Sequence, residues 1–301
     1  VSDKKGYIAV AYEIGMTKGL TDTTFAPDRT ATRAQAAAML VRIYEKLHQQ
    51  SPFVHGFYAI SSYSQLSLAK SIDAVSAGWS RMTWDGTAAV LNTTEQGGNE
   101  YRIPSGYEEV AAGIAHLNLS VFMDGQELKE LLASENGRAQ AVQQIVQELS
   151  RVYDKTGGNP YEGVTIDFEG LRASQKEAFS DFLRQLQAAL QKLDKQLFVC
   201  VPPVLTSSAY YDGYDCQVIG ELADKVILMA YGYGPQNMNG FTGTEYYKTA
   251  ATAPIASVYT ALRQAASEIP PAKLLLGFSV INTAWKIDEN GKLLSETPVY
   301  P

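Results

Sequence analysis

The sequence is poor in the side chains that most often carry chemistry. It has 2 cysteines and 3 histidines in 301 residues. Cys200 and Cys216 are too few for a disulfide framework and lack metal-site spacing; they read as unpaired thiols, with one bridge between them as the alternative. His48, His55 and His116 are scattered, and none has a partner at metal-ligand spacing, so no metal or other cofactor is expected. No Gly-x-Ser-x-Gly elbow is present, which disfavours a Ser-His-Asp hydrolase. The first β/α turn has no Gly-x-Gly-x-x-Gly phosphate loop. No run of eighteen apolar residues occurs, so no membrane span is expected. Nor does Val1-Ser2-Asp3-Lys4-Lys5 carry a signal-peptide pattern, as a trimmed chain also would not. Positive charge is short as well: the net charge is -7, which argues against nucleic acid or an anionic membrane as partner.

What remains is a hydrophobic content of 46% with 19% charged residues, the balance of a globular protein with a substantial core. Tyrosine is frequent, at 18 residues. Chemistry must then come from carboxylates, tyrosines and tryptophans.

The stretch Gly163-Val164-Thr165-Ile166-Asp167-Phe168-Glu169 is the most informative. Rich in β-branched and aromatic residues, and set between Gly157-Gly158-Asn159-Pro160 and Gly170, it reads as a strand. Alternation puts Val164, Ile166 and Phe168 on one face and Thr165, Asp167 and Glu169 on the other, with same-face neighbours roughly 7 Å apart. Two carboxylates would project together from the carboxyl end of a buried strand, where parallel α/β sheets build their sites.

Residues Gly6 to Leu47 read as helix, loop, helix, the second helix opened by a capping box of Thr32 and Gln35. Gln49-Gln50-Ser51-Pro52 marks a boundary, giving segments 1–51 and 52–301. From Phe53 onward strands alternate with amphipathic helices. Strands are expected at Phe53–Ile60, Ile72–Trp79, Leu117–Met123, Gly163–Glu169, Leu197–Val201, Lys225–Tyr231 and Leu274–Ile281. A hairpin turn is read at Trp84-Asp85-Gly86-Thr87, with a second polar turn at Gly97-Gly98-Asn99 and a helix opening at Ser105. One helix carries Ala141, Val142, Ile145, Val146, Leu149 and Val152 on its inner face. The next is capped at Ser174 and buries Phe179, Phe182, Leu183, Leu186 and Leu190; a further one is marked by Val258-Tyr259-Leu262-Ala266.

Seven β/α steps in this length give an α/β fold of the (β/α)8 barrel type lacking its last unit, with a small helical segment in front. Leu293 to Tyr300, broken by Pro298, is a weak eighth strand. A doubly wound open sheet is the fallback. Collecting polar and aromatic residues at strand ends gives Tyr58, Trp79, Asp124, Asp167, Glu169, Met229, Tyr231 and Trp285. Aromatic platforms around two carboxylates are what a pyranose ring needs.

Two resemblances sharpen these readings. Gly19 to Asp28 and Thr32-Arg33-Ala34-Gln35 resemble a surface-layer homology repeat, with Gln for Glu. That likeness implies binding of a secondary cell-wall polymer through Arg33; the alternative is a helical cap on the next domain. Glu162-Gly163-Val164-Thr165-Ile166-Asp167-Phe168-Glu169 resembles the Asp-x-x-Asp-x-Asp-x-Glu strand of glycoside hydrolase family 18. Met229-Ala230-Tyr231 and the segment from Leu276-Gly277-Phe278 to Trp285 are similar to that family's sixth and seventh strand motifs. The phrasing of Phe57-Tyr58-Ala59 and of Gly163 to Glu169 is closer to the spore-cortex and cell-wall lytic branch than to typical chitinases.

The family likeness implies a retaining hydrolase in which the substrate's N-acetyl group attacks the anomeric carbon. Glu169 would be the acid, Asp167 the acetamido clamp that also raises the Glu169 pKa, and Tyr231 the holder of the acetamido oxygen. Tyr58, Trp79, Asp124, Met229 and Trp285 would bind the sugar, with Trp285 stacking on it. The implied partner is a polysaccharide containing N-acetylglucosamine, peptidoglycan or chitin, and the implied location is the cell wall or spore envelope of a Gram-positive-type bacterium. The chain departs from the pattern at Glu162 and Thr165, which replace aspartates, and at Gly232, where many chitinases have Asp. A silent, lectin-like barrel that binds wall glycan is the rival reading.

Overall fold

The computed structural model describes residues 5–21, 24–48, 53–58, 65–93, 113–153, 157–203, 212–233, 239–248, 253–279 and 285–294. Two compact units are present, residues 1–53 and 54–301.

In the first unit, helices Lys5–Glu13 and Arg33–His48 flank a loop. The Thr32 and Gln35 capping box is formed: Gln35 Oε1 accepts from the Thr32 N–H at 2.9 Å, and Thr32 Oγ1 from the Gln35 N–H at 3.2 Å. Two of the donors a helix start leaves unpaired are thereby satisfied. Arg33 is exposed. It does not line this unit's cleft of about 500 Å³, whose cationic residues are Lys18, Arg29 and Arg42.

In the second unit, strands β1 (His55–Tyr58), β2 (Ala74–Trp84), β4 (Leu117–Met123), β5 (Gly163–Phe168), β6 (Gln196–Val201), β7 (Lys225–Leu228) and β8 (Leu274–Leu276) form a parallel sheet in that order, with β3 (Ala89–Asn92) antiparallel to β2. Among the described residues β1 and β8 are not joined, so the curled sheet stays open. Leu293 joins no strand of the sheet among the described residues: it bridges antiparallel to Ile287 and exchanges backbone hydrogen bonds with Gly243 and Thr244. The expected turn at Gly97 to Asn99 and the helix at Ser105 lie outside the described residues.

Side-chain alternation fixes what each face of β5 does. Phe168 stacks on Phe182 at 5.2 Å and lies 6.1 Å from Phe179, both on helix Lys176–Gln191. Val164, Ile166 and Phe168 are all buried on that outer side. Each fully buried side chain of this size contributes roughly 1.5–3 kcal/mol, enough to hold the register of a central strand. Gly163 is required by packing, since a Cβ there would stand 2.3 Å from the Gln196 carbonyl oxygen. The other face, Thr165 and Asp167, is left for the barrel interior.

Several boundaries differ from the sequence expectation. Strand β2 continues to Trp84 because Arg81 to Trp84 pair with β3, so Trp79 sits inside the strand and not at its carboxyl end; its side chain lies outside the described residues. After β4 come two helices, Gly125–Ala133 and Glu135–Ser150, broken at Ser134, whose hydroxyl accepts from the Gly137 N–H at 3.0 Å. Val152 lies past the end of the second and is 67% exposed. Ser174 caps nothing: a turn of 3-10 helix at Ala173–Gln175 precedes helix Lys176–Gln191, and the Arg172 N–H donates to Gln175 Oε1. The short helix Cys216–Leu222, capped by Asp215 through the Val218 N–H, has no counterpart among the expected elements.

Candidate active site

The candidate site is built at the carboxyl ends of β4, β5, β6 and β7. The ladder places Asp167 beside Phe122 of β4. Glu169 follows the last residue of β5, and its N–H donates to the Met123 carbonyl at 2.9 Å, prolonging the ladder by one bond. Tyr214 OH donates to the Phe168 carbonyl at 2.8 Å, fixing the backbone between the two carboxylates. Sequence reasoning misses Tyr214 because it comes from a loop.

Both carboxyls hold their protons more tightly than free ones. Burial pushes Asp167 up to about 7, with the charge of Glu169 adding and a hydrogen bond from the Cys200 thiol opposing. Asp167 Oδ1 is buried without a hydrogen-bond partner. Glu169 is exposed as a residue, but the partial burial of its carboxyl raises it too, followed by the charge of Asp124. The sequence reading expects Asp167 and Glu169 to act on each other, and the charge of Glu169 does raise Asp167; Asp124 is a further charged neighbour that acts on Glu169. With two acids two residues apart on one face, ionising one makes ionising the other harder, so the pair retains a proton near neutral pH.

Cys200 from β6 and Tyr231 complete the cluster. The Cys200 thiol is held well above its ordinary range by burial and then by Asp167 and Glu169. It is an unpaired thiol, as is Cys216. Tyr231 is pushed up to about 12 by burial first, then by Cys200, Asp167 and Glu169. Its ring rests against Gly277: a Cβ there would lie 3.1 Å from Tyr231 Cε1 and 3.0 Å from the Leu228 carbonyl oxygen. Met229, half-buried, donates its N–H to the Val201 carbonyl at 2.9 Å. The structure thus brings together Asp167, Glu169, Tyr231 and Asp124.

The remaining candidates sit differently. Tyr58 is buried, 3% exposed, at the end of β1. Trp285 is half-buried in the stretch 285–294, and no hydrogen bond or ring contact joins it to the described carboxylates. Asp124 is ion-paired to Arg81 at 2.6 Å.

Beneath Asp167, Thr165 does not turn to it. Thr165 Oγ1 lies 2.6 Å from Ser76 Oγ and accepts from Asn118 Nδ2 at 3.5 Å; Ser76 Oγ in turn is 2.7 Å from His55 Nε2. Burial lowers His55 to about 4, so the ring is neutral. A neutral polar chain therefore occupies the barrel interior where the family pattern has a carboxylate. Among the described residues no three His, Cys, Asp or Glu form a metal-ligating group, and no helix is long and apolar enough to cross a membrane.

Comparison with known proteins gives two family matches. Residues 116–298, more than half of the chain, match the family described as glycosyl hydrolases family 18, and residues 1–37 match the S-layer homology domain. YdhD of Bacillus subtilis, designated a sporulation-specific glycosylase, is 29% identical over 140 residues, covering 46% of this chain and 31% of that protein. The cortical fragment-lytic enzyme of Bacillus subtilis is 24% identical over 142 residues, with the same coverages of 46% and 31%. This chain thus spans about a third of the length of the curated relatives it matches. Among solved structures, a chitinase from Chromobacterium violaceum superposes with a TM-score of 0.62 at 19% identity, covering 83% of this chain and 74% of that one. The spore cortex-lytic enzyme SleL of Bacillus megaterium does so with 0.59 at 20% identity, covering 82% and 55%. These likenesses speak to the fold.

Proposed function

From the premise that this chain belongs to glycosyl hydrolase family 18, we propose that it is a retaining glycosidase acting on N-acetylglucosamine-containing wall glycan, peptidoglycan before chitin. The observation that carries the reading is the strand end on which Asp167 and Glu169 stand together, both with raised pKa values and with Tyr231 beside them.

The proposed chemistry rests on that proton-sharing pair. When a sugar binds, its acetamido N–H donates to the buried, unpartnered Asp167 oxygen, which favours the ionised form of Asp167. The shared proton then rests on Glu169, where it can be given to the glycosidic oxygen. As that bond breaks, the acetamido oxygen bonds the anomeric carbon, the leaving sugar keeps the proton, and Asp167 balances the positive charge of the oxazolinium. Tyr231 OH donates to the acetamido oxygen and holds it in line for attack. Glu169, now a base, takes a proton from the water that reopens the ring, and configuration is retained.

In this reading Tyr58, Asp124, Met229 and Trp285 line the sugar path, and Arg33 in segment 1–51 contacts a secondary wall polymer, keeping the barrel, segment 52–301, at the cell wall or spore envelope. The test is hydrolysis of peptidoglycan strands before and after chemical removal of the N-acetyl groups, with NMR of the first-formed product. Release from N-acetylated strands alone, as the β-anomer, is expected. Binding to both without release of reducing ends favours the lectin-like alternative.

A further inference from the structure

We infer that Arg81 is a positioning residue of the site: its ion pair draws the Asp124 carboxylate off the start of the following helix and holds it toward Glu169. The inference rests on the reading of Glu169 as proton donor.

The geometry begins in β2, whose last pairing with β4 is Arg81 opposite Phe122. From there the Arg81 guanidinium lies over the Phe122 ring, 5.0 Å from its centroid, and reaches Asp124 Oδ1 at 2.6 Å. The aromatic plate and the ion pair both restrict the guanidinium. Asp124 is the N-cap of helix Gly125–Ala133, a position at which an aspartate normally accepts a backbone N–H of the first turn. It makes no such bond. Something else sets its direction, and the short pair with Arg81 is the contact in place. The Glu169 N–H bond to Met123 puts the backbone of Glu169 beside the residue before Asp124, so a carboxylate turned from the helix has Glu169 as its neighbour. The raised pKa of Glu169, with Asp124 as its leading charged cause, agrees with that placement.

Among the described residues, the charged and titratable groups around Glu169 are Asp124 and Arg81 from the β4 and β2 ends, Asp167 on its own strand, Cys200 of β6, and Tyr214 and Tyr231. Of these, Arg81 is the one group placed neither in the acid cluster nor in the sugar path, so Arg81→Met isolates the ion pair.

The experiment measures kcat/KM against pH on N-acetylated peptidoglycan for wild type, Arg81→Met, Asp124→Asn and the double variant. It is paired with a carboxyl NMR titration of Glu169, assigned by its loss in Glu169→Gln. Loss of the Asp124 charge near Glu169 lets it ionise more easily, so the basic limb and the Glu169 midpoint should both move to lower pH by about half a unit or more in Asp124→Asn. Arg81→Met should move them the same way, because Asp124 is released to the helix, and the double variant should equal Asp124→Asn. Arg81→Lys should restore part of the shift. An unmoved midpoint, an upward shift in Arg81→Met, additive shifts in the double variant, or a change in KM alone in Arg81→Met overturns the inference. No turnover by wild type, with the midpoint shifted as described, refutes the hydrolase reading while leaving the role of Arg81 in place.

Discussion

Replacing Asp167 by Asn should stabilise the protein at alkaline pH, although it removes a group the chemistry needs. The Asp167 carboxyl moves from an ordinary 3.8 to about 7 in the folded chain, chiefly through burial. That difference corresponds to on the order of 4 kcal/mol between its protonated and ionised forms. The sign follows from proton affinity: the folded chain binds this proton more tightly than the unfolded one. The stabilising contribution is therefore complete below about 4, falls as pH rises, and is gone above about 7. Asn keeps the shape without a charge to bury. Urea unfolding of wild type and Asp167→Asn between pH 4 and 8, followed by tryptophan fluorescence, should show the variant gaining on wild type as pH rises, by up to about 4 kcal/mol. In a Glu169→Gln background the gain should shrink, because the second cause of the shift is gone. A stability difference that does not vary with pH, or one that favours wild type increasingly with pH, would refute the reasoning. Stability given up at a working carboxylate is an ordinary cost of function.

Gly277→Ala tests whether Tyr231 works through its position. The new Cβ would crowd Tyr231 Cε1 and the Leu228 carbonyl, moving the ring by tenths of an ångström. Steady-state kinetics should show kcat lowered by roughly tenfold to a hundredfold with little change in thermal midpoint; unaltered kcat counts against the role of Tyr231. Thr165→Val removes the hydroxyl that joins Ser76 and Asn118 and should cost about 1–3 kcal/mol in chemical denaturation. Since Thr165 is engaged away from Asp167, the limbs of the pH profile should stay where they are. A displaced limb would show that Thr165 takes part in the proton sharing.

How much of the molecule is legible in the sequence depends on how far apart the cooperating residues lie. The strand Gly163–Phe168 and the helix face of Phe179, Phe182 and Leu186 are read from local periodicity, and the capping box at Thr32 from four consecutive residues. Which face of β5 is polar also follows from alternation, so Asp167 and Glu169 can be singled out together. The neighbours that set their ionisation cannot. Ser76 meets Thr165 across 89 residues, and Arg81 meets Asp124 across 43; both contacts depend on strand order and register, which no local pattern encodes. Cys200 reads as one more apolar residue of β6 until the sheet sets it beside Asp167. Strand β2 reads short because Ser80-Arg81-Met82-Thr83 lacks the apolar run of its first half, and only pairing with β3 carries it on. The break at Ser134 escapes local reading because a serine between two helical patterns is hard to tell from a polar position within one.

The most direct measurement of the central claim is reducing-end release from N-acetylated peptidoglycan by wild type and Glu169→Gln, with thermal unfolding of both recorded alongside. Glutamine keeps the shape and loses the transferable proton, so the account expects release by wild type and a loss of about a hundredfold or more in the variant, with the fold intact. Equal release by both, or none by either, would contradict it.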